Sequence, residues 1–270
     1  MLGALIGDIA GSRFEWHNHR SKDFELLTKE KGCKPTDDSY MSLAVAQAIL
    51  DCGDDFSRLG EHTVKRMQEL GRKYPDGDYG GRFGRWLYEV DPRPYHSFGN
   101  GAAMRVSACG FAAGSRKEAI TLADAVTEVT HDHPEGMKGA EAVAEAIRMA
   151  REGCGMAEIR KRIEQRYYTI GFTLDEIRAD YAFDETCQGS VPQALEAFFE
   201  STTFEDAIRN AISIGGDSDT VAAITGGVAE AYYGIPDAIR EKALTFLDAP
   251  LLAIQQAFEK KYGFVADRTI

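Results

Sequence analysis

The sequence has little that marks a zinc protein or a protein held by disulfides. Its five cysteines are an odd number, lie far apart and include no Cys-x-x-Cys pair. Because zinc sites and disulfide frameworks need closely spaced or evenly paired cysteines, neither is expected. Free thiols instead favour a reducing cytosol, so a cytoplasmic protein is expected. The cysteines are Cys33, Cys52, Cys109, Cys154 and Cys187.

Basic residues are also few: 31 Lys and Arg stand against 43 Asp and Glu, for a formal net charge of -12. A nucleic-acid-binding protein needs a basic face to neutralise phosphates, so nucleic acid is not expected as a main partner. An acidic chain is, however, compatible with a bound cation.

Long apolar runs and alternating patterns are missing as well. No run is long enough to cross a membrane. The apolar opening is interrupted by Asp8 and lacks the basic region of a signal peptide. No convincing β pattern, linker or repeated unit separates the chain into parts. With a hydrophobic content of 44%, typical of a folded protein, the sequence predicts one all-α domain over residues 1–270.

What the chain does contain is organised around Gly215-Gly216-Asp217-Ser218-Asp219-Thr220. An apolar run over 221–233 follows directly and predicts a buried helix. Capping of that helix explains one Asp–Thr pair. The second carboxylate and the two glycines exceed what a cap needs, and they indicate a hard cation such as Mg²⁺.

The same pattern occurs earlier, where Thr36, Asp37 and Asp38 precede a predicted helix over 39–50. Neighbouring carboxylates repel each other unless they are solvated or neutralised. If the two helix starts converge, four carboxylates and two hydroxyls meet, which is enough for a two-metal site. The interpretation therefore depends on Asp37 and Asp219 lying close together.

The first helix carries Gly3, Gly7 and Gly11 on one face. Glycine weakens an isolated helix, so this stripe predicts another helix packed very close to it. Asp8 lies in the same apolar helix and needs a partner there. Glu15 ends the segment; a solvated surface position is its simplest interpretation.

A glycine-punctuated loop over 95–101 opens a predicted small-residue helix over 102–111. Such a loop presents free amides to an anion, although the pattern is common. Ser97 and Asn100 offer hydrogen bonds to a ligand, and Phe98 offers a stacking face.

The remaining chain reads as loops over 16–35 and 74–84, with His131 in a turn between two helices. A lone buried histidine is ordinarily a hydrogen-bonded core group. Further helices are predicted over 56–72, 85–90, 117–129, 136–151, 156–165, 174–180, 193–200, 204–214, 236–247 and 251–262.

Taken in order, the segments GALIGDIAGSRFE, TDDSYM, SFGNGAAMR, TH and GGDSDT…AYYG resemble the ADP-ribosylglycohydrolase family, of the dinitrogenase-reductase-activating glycohydrolase type. The resemblance runs from Gly3 to Gly234. It implies a compact orthogonal all-α domain with two Mg²⁺ ions, or Mn²⁺ in some members. It also implies hydrolysis of the glycosidic bond between ADP-ribose and a modified protein side chain, such as arginine or serine, or a small-molecule conjugate, with ADP-ribose as product.

The resemblance assigns roles to particular residues. The implied metal ligands are Thr36, Asp37, Asp38, Asp217, Asp219 and Thr220. Asp37 and Asp38 are the implied catalytic pair, with Glu15 near the metals as a helper. The implied substrate-binding residues are Gly80, Gly81, Ser97, Phe98, Gly99, Asn100, Gly101, Met104, His131, Gly216 and Ser218. Ser218 replaces the threonine of many members, a small change because both residues are hydroxylated.

Two alternatives fit the sequence less well. An isoprenoid-type helical synthase needs Asp-Asp-x-x-Asp, whereas Asp37-Asp38 is followed by Ser39, Tyr40 and Met41. A non-catalytic relative that binds ADP-ribose-like nucleotides is disfavoured by the retention of all six metal-type ligands. The linkage cleaved, the choice between Mg²⁺ and Mn²⁺ and the identity of the base stay open, and a monomer without membrane contact is expected.

Overall fold

A computed structural model describes residues 1–263 and, within them, contains helices and no strand. The predicted all-α class is confirmed, and the buried apolar side chains form one core. The last part of the predicted 1–270 domain, residues 264–270, lies outside the described residues. The helices are α1 (Leu2–Gly11), α2 (Asp37–Cys52), α3 (Leu59–Lys73), α4 (Gly81–Trp86), α5 (Gly101–Met104), α6 (Ser107–Ala112), α7 (Arg116–Thr127), α8 (Pro134–Arg151), α9 (Met156–Arg166), α10 (Leu174–Ile177), α11 (Cys187–Phe199), α12 (Phe204–Ser213), α13 (Ser218–Tyr233), α14 (Asp237–Leu244) and α15 (Ala249–Tyr262), with a 3₁₀ turn at Phe56–Arg58.

The central pair is α1 against α13, and their backbones touch. A Cβ atom added to Gly7 would lie 1.9 Å from the carbonyl oxygen of Ala222, and one added to Gly3 would clash in the same way with α13. At the end of α1, a Cβ on Gly11 would lie 2.5 Å from the Cα of Asp219. The predicted close packing of the glycine stripe is confirmed. It places the end of α1 directly against the start of α13.

The start of α2 is tied to α1 by Asp8. The carboxylate of Asp8 accepts hydrogen bonds from the Thr36 backbone N–H at 3.0 Å, the Thr36 hydroxyl at 2.6 Å and the Ser39 N–H at 3.1 Å. These are the partners that a buried carboxylate requires. As a result, the first turns of α2 and α13 both meet the last turns of α1.

Some predicted helix bounds are wrong. The helix expected over 102–111 is two helices, α5 and α6, because the chain breaks where the side chain of Arg105 turns inward and is buried. The helix expected over 85–90 is α4, which begins at Gly81, inside a segment predicted as loop. Helix α11 begins at Cys187 rather than 193, because the Thr186 hydroxyl caps its first turn by accepting from Gly189 N–H at 3.1 Å.

Among the described residues, no helix combines the length and the apolar composition that a bilayer span requires.

Candidate active site

A cavity of about 490 Å³ opens where the starts of α2 and α13 meet the 95–101 loop. Asp37 and Asp219, the two residues whose convergence the sequence interpretation required, both line it. The predicted site residues on its wall are Glu15, Asp37, Asp38, Gly80, Gly81, Ser97, Gly99, Asn100, Gly101, Met104, His131, Asp217, Asp219 and Thr220.

Four predicted site residues do not line the cavity. Thr36 is buried behind it, with its hydroxyl bonded to Asp8. Phe98 is 43% exposed, and its ring centroid lies 5.1 Å from that of His133, outside the cavity wall.

Gly216 and Ser218 shape the turn before α13 instead. Gly215 and Gly216 both have positive φ, +75° and +74°, a conformation that favours glycine. The Ser218 hydroxyl donates to the Gly216 carbonyl at 3.2 Å. This turn delivers Asp217 and Asp219 to the cavity.

Five carboxylates, which we call the acidic cup, come together at the cavity; four line it, and Asp8 is buried behind it. Oxygen atoms of Asp8, Asp38 and Asp219 all lie within 4.8 Å of one another, and so do those of Glu15, Asp217 and Asp219. Asp219 belongs to both groups. Two overlapping sets of three oxygen donors have the composition that Mg²⁺ or Mn²⁺ prefers. The sequence interpretation did not include Asp8; its only signal was a carboxylate on a helix with a glycine stripe.

Burial perturbs the ionisation of the acidic cup. Desolvation, reinforced by the neighbouring carboxylates, raises the pKa of Asp38 and that of Asp219 well above the ordinary value. Burial also raises the pKa of Asp8 to about 6. The pKa of Glu15 is raised to about 7, by burial and then by the charge of Asp217. Ionised carboxylates this close together are unfavourable without a compensating positive charge.

One carboxylate oxygen in the acidic cup has no hydrogen-bond partner. Asp38 Oδ2 accepts from the Thr220 hydroxyl at 3.1 Å, but Asp38 Oδ1 is buried and has no hydrogen-bond partner. Asp217, by contrast, accepts a hydrogen bond at its Oδ2 from the side-chain amide of Asn100 at 2.6 Å. Buried polar atoms without a partner are rare, and such an oxygen beside other carboxylates fits a bound divalent cation.

His131 lines the same cavity and takes part in a chain of hydrogen bonds. Arg105 Nη2 donates to the Thr130 hydroxyl at 2.6 Å, and Thr130 Oγ1 lies 2.7 Å from His131 Nδ1. Arg105 Nη2 also lies 3.4 Å from His131 Nδ1. Since the guanidinium only donates, Nδ1 is an acceptor, and the Thr130 hydroxyl donates to it as well. Burial and the Arg105 charge hold the pKa of His131 well below its usual value. The ring is therefore neutral, with its proton on Nε2.

That proton faces the glycine loop. A Cβ atom on Gly101 would lie 3.3 Å from His131 Nε2, and one on Gly99 would lie 3.6 Å from it. The loop therefore leaves space for a ligand atom beside the Nε2–H donor, the position that the sequence interpretation gave to a ligand-contacting histidine.

Several cavity residues were missed by the sequence interpretation because only tertiary packing brings them here. Most of them come from the 74–84 loop, from the 16–35 loop and from the segment before α11, none of which has a diagnostic spacing. These residues are Trp16, Asp78, Tyr79, Arg82, Phe83, Phe183 and Glu185, with Tyr95 and Arg105 at the two ends of the segment that carries the glycine loop and α5.

A second cavity, about 650 Å³, lies at the far end of α13 near α15. Two pairs of its charged groups form salt bridges, Arg240 with Glu259 and the N-terminal amino group of Met1 with Glu230. Within residues 1–263, the groups of three or more potential metal-ligating side chains lie at the first cavity or directly behind it, not in this one.

The helical fold and the acidic cup define a class of helical proteins with a metal-type carboxylate centre. The sequence profile of the ADP-ribosylglycohydrolase family matches residues 1–262, so the chain belongs to that family.

Relatives match most of the chain. ADP-ribosylhydrolase ARH3 of Mus musculus is 26% identical, and the match covers 94% of this chain and 88% of that protein. The ADP-ribosyl-[dinitrogen reductase] glycohydrolase of Rhodospirillum rubrum is 25% identical over 87% of this chain and 85% of its own length. A solved structure described as an ADP-ribosylglycohydrolase-related protein complex superimposes with a TM-score of 0.70 at 25% identity, covering 97% of each chain.

Proposed function

We propose that this protein is a magnesium-dependent hydrolase that cleaves the glycosidic bond between ADP-ribose and a modified protein side chain or small-molecule conjugate. The observation that carries the proposal is the acidic cup itself, in which two groups of three carboxylates share Asp219. Four of the five carboxylates line one cavity, and Asp8 is buried directly behind it. Membership of the family supports the same reaction class, as does the likeness to an ADP-ribosylhydrolase and to an ADP-ribosyl-[dinitrogen reductase] glycohydrolase.

The residues present fit two divalent cations. We assign the ligands to the two helix starts, as the sequence predicts, and add Asp8, whose oxygen lies with those of Asp38 and Asp219. A bound cation would neutralise the carboxylates and polarise an oxygen held against it. The ligand set proposed from the helix starts is Thr36, Asp37, Asp38, Asp217, Asp219 and Thr220.

The wall formed by the 95–101 loop and His131 suits the nucleotide part of the substrate. The Ser97 hydroxyl, the Gly101 N–H and the Nε2–H of His131 offer neutral hydrogen-bond donors to diphosphate and ribose oxygens. The neutral state of His131 matters, because it fixes the donor without adding a titrating charge in the neutral pH range. We therefore place the diphosphate at this loop and the anomeric carbon at the acidic cup.

Hydrolysis breaks the bond from the anomeric carbon to the leaving atom. The hydroxyl of a water joins that carbon, and the second proton of the water passes to the leaving group. Asp37, half-buried and on the cavity wall, and Asp38 are the candidate bases. Glu15 has a pKa of about 7, which suits a group that gains and loses a proton near neutral pH.

The test is a linkage panel. The purified protein is incubated with ADP-ribosyl-arginine, ADP-ribosyl-serine, ADP-ribosylated nucleic acid and O-acetyl-ADP-ribose, with Mg²⁺ or with a chelator. Release of ADP-ribose from at least one conjugate, dependent on Mg²⁺, is expected. If no conjugate is cleaved with Mg²⁺ or Mn²⁺, the hydrolase proposal fails and a non-catalytic nucleotide-binding role replaces it.

A further inference from the structure

Two exposed aromatic rings form a stack at the mouth of the cavity, which we call the aromatic ledge. The centroids of Trp16 and Phe183 lie 5.2 Å apart, with 19° between the ring planes. Trp16 is 71% exposed and Phe183 is 42% exposed, yet both line the cavity. Large apolar groups held in water at a cavity entrance are typical of a ligand contact rather than of a core.

The backbone that carries each ring is anchored. Asn18 Oδ1 accepts from the Gly216 N–H at 2.7 Å, which pins the segment after Trp16 to the turn before α13. The guanidinium of Arg20 donates to the Tyr181 carbonyl at 2.7 Å and so joins the two segments. The aromatic ledge is therefore preorganised, which lowers the entropic cost of binding on it.

The segment of Phe183 is also tied to the nucleotide side of the cavity. The Asn100 N–H donates to the Glu185 carbonyl at 2.7 Å, and the Cys187 N–H donates to the Phe98 carbonyl at 2.9 Å. The aromatic ledge thus has a fixed position relative to the loop that we assign to the diphosphate.

Two carboxylates flank the aromatic ledge in sequence and line the same cavity, Glu15 next to Trp16 and Glu185 two positions after Phe183. Among residues 1–263, neither side chain takes part in a salt bridge. Since Glu15 belongs to the acidic cup, the side chain of Glu185 is the one available to a ligand that enters between the rings and the acidic cup.

We propose that Trp16, Phe183 and Glu185, beside Glu15, form the subsite for the group to which ADP-ribose is attached, and that this subsite favours a planar cation of the guanidinium type over a neutral hydroxyl. The inference rests on the proposed function, which puts the nucleotide at the 95–101 loop and leaves the cavity mouth to the leaving group. A guanidinium stacks flat on an aromatic face and donates to a carboxylate at its edge. A neutral hydroxyl makes neither contact with comparable strength.

The first experiment compares two linkages in four variants. For ADP-ribosyl-agmatine, kcat/KM is expected to fall roughly tenfold in Trp16→Ala and in Phe183→Ala, in line with the loss of one cation–π contact. Glu185→Gln is expected to act in the same direction, and Trp16→Phe is expected to recover most of the loss. For an ADP-ribosyl-serine peptide, the same changes are expected to alter kcat/KM less than about twofold, since a hydroxyl makes no cation–π contact.

Val90→Ala is the matched control, because Val90 is an exposed apolar residue that does not line this cavity. Equal losses on both linkages would mean that the aromatic ledge is only structural, and would overturn the inference. Wild-type protein that cleaves the serine linkage and not the guanidinium linkage would overturn it as well, while leaving the proposed function intact.

The second experiment needs no turnover. The chain has two tryptophans; Trp86 is 1% exposed and Trp16 is 71% exposed, so a change on ligand contact reports Trp16. Agmatine, added with and without ADP-ribose, is expected to change the emission saturably, whereas 1,4-butanediol is not. The change is expected to vanish in Trp16→Phe and to weaken in Phe183→Ala.

The two readouts separate the two proposals. A saturable change in emission with agmatine, without cleavage of any conjugate, would contradict the hydrolase proposal and support the subsite. Cleavage with no change in emission on adding agmatine, and with no preference for the guanidinium linkage, would support the hydrolase proposal and contradict the subsite.

Discussion

The hydroxyl of Thr220 donates a hydrogen bond to Asp38 Oδ2 at 3.1 Å, across 182 positions of sequence. This bond joins the first turn of α13 to the first turn of α2, and both turns lie against the end of α1. Three carboxylates of the acidic cup, Asp8, Asp38 and Asp219, lie on these three helices, and Glu15 and Asp217 lie in the turns next to α1 and α13. A rigid arrangement of this kind is what a divalent cation with fixed coordination geometry requires.

Asp219→Asn tests the residue shared by both carboxylate groups. The change keeps the shape of the side chain but removes the charge, and kcat/KM for ADP-ribose release is expected to fall by more than about a hundredfold, since even partners outside the ligand shell cost 10–100-fold. Circular dichroism is expected to stay helical. Without metal, the melting temperature is expected to be unchanged or higher, because repulsion among buried carboxylates is relieved.

Asp54→Asn is the control for that variant, because the Asp54 side chain is fully exposed. Its activity and its stabilisation by Mg²⁺ are expected to match those of the wild type. Undiminished activity in Asp219→Asn would remove Asp219 from the metal site.

Gly7→Ala tests the contact that brings α1 and α13 together. The new Cβ would lie 1.9 Å from the Ala222 carbonyl oxygen, a backbone atom that cannot move aside. A loss of more than about 3 kcal/mol of unfolding free energy is expected, at the upper end of overpacking effects. Gly171→Ala, where nothing lies within 4 Å of the new atom, is expected to change the free energy of unfolding little in urea titrations. Equal stability of the two variants would contradict the backbone contact.

Thr130→Val tests the tautomer of His131. Loss of the hydroxyl removes the donor to Nδ1 and one acceptor of Arg105. A rise in KM of about fivefold is expected, the equivalent of one net hydrogen bond, with a smaller change in kcat. Nitrogen-15 NMR of the imidazole is expected to show a mixture of tautomers in place of a single Nε2–H form.

Thr127→Val is the matched control, since the Thr127 hydroxyl is also buried but has no hydrogen-bond partner. Replacing it is expected to leave KM unchanged and stability the same or better. A wild-type imidazole protonated on Nδ1 would contradict the proposed donor.

The pH dependence of stability follows from the raised pKa values in the acidic cup. Asp8 titrates at about 6 and Glu15 at about 7 in the folded protein, against ordinary values of 3.8 and 4.5. The folded state thus holds these protons more tightly than the unfolded chain. The stability that they contribute is present at low pH and is lost as the pH rises through 6 to 7.

Metal-free protein is therefore expected to melt at a lower temperature at about pH 8 than at about pH 5. Mg²⁺ competes with protons for the same oxygens, so its stabilising effect is expected to grow over that interval. Differential scanning fluorimetry with Mg²⁺ or with a chelator measures both trends. Greater stabilisation by Mg²⁺ at the acidic end would contradict the assignment.

The sequence predicted those parts of the molecule that local chemistry determines. The glycine stripe of α1 requires a close helix, and two carboxylate-led apolar runs mark α2 and α13, so their meeting point was predictable. The break between α5 and α6 at Arg105 was not predictable. It depends on a hydrogen bond from the buried guanidinium of Arg105 to the hydroxyl of Thr130. The small residues around Arg105 read as one continuous helix.

The residues at the cavity mouth could not be predicted from the sequence either. Trp16 lies in a polar stretch that reads as a solvated loop, and Phe183 lies in a segment with no clear periodicity. Their contact depends on Arg20 joining the two segments, and no spacing rule records such a bond. Asp8 was recognised as needing a partner, but its place in the acidic cup follows from the position of α2.

The most direct test of the central claim is an anomalous-scattering experiment on crystals of the protein soaked in Mn²⁺. We predict density inside the acidic cup, at roughly 2.0–2.5 Å from carboxylate oxygens that include those of Asp38 and Asp219. Crystals that bind Mn²⁺ only elsewhere, or that leave the space between Asp38 and Asp219 without anomalous density, would contradict it.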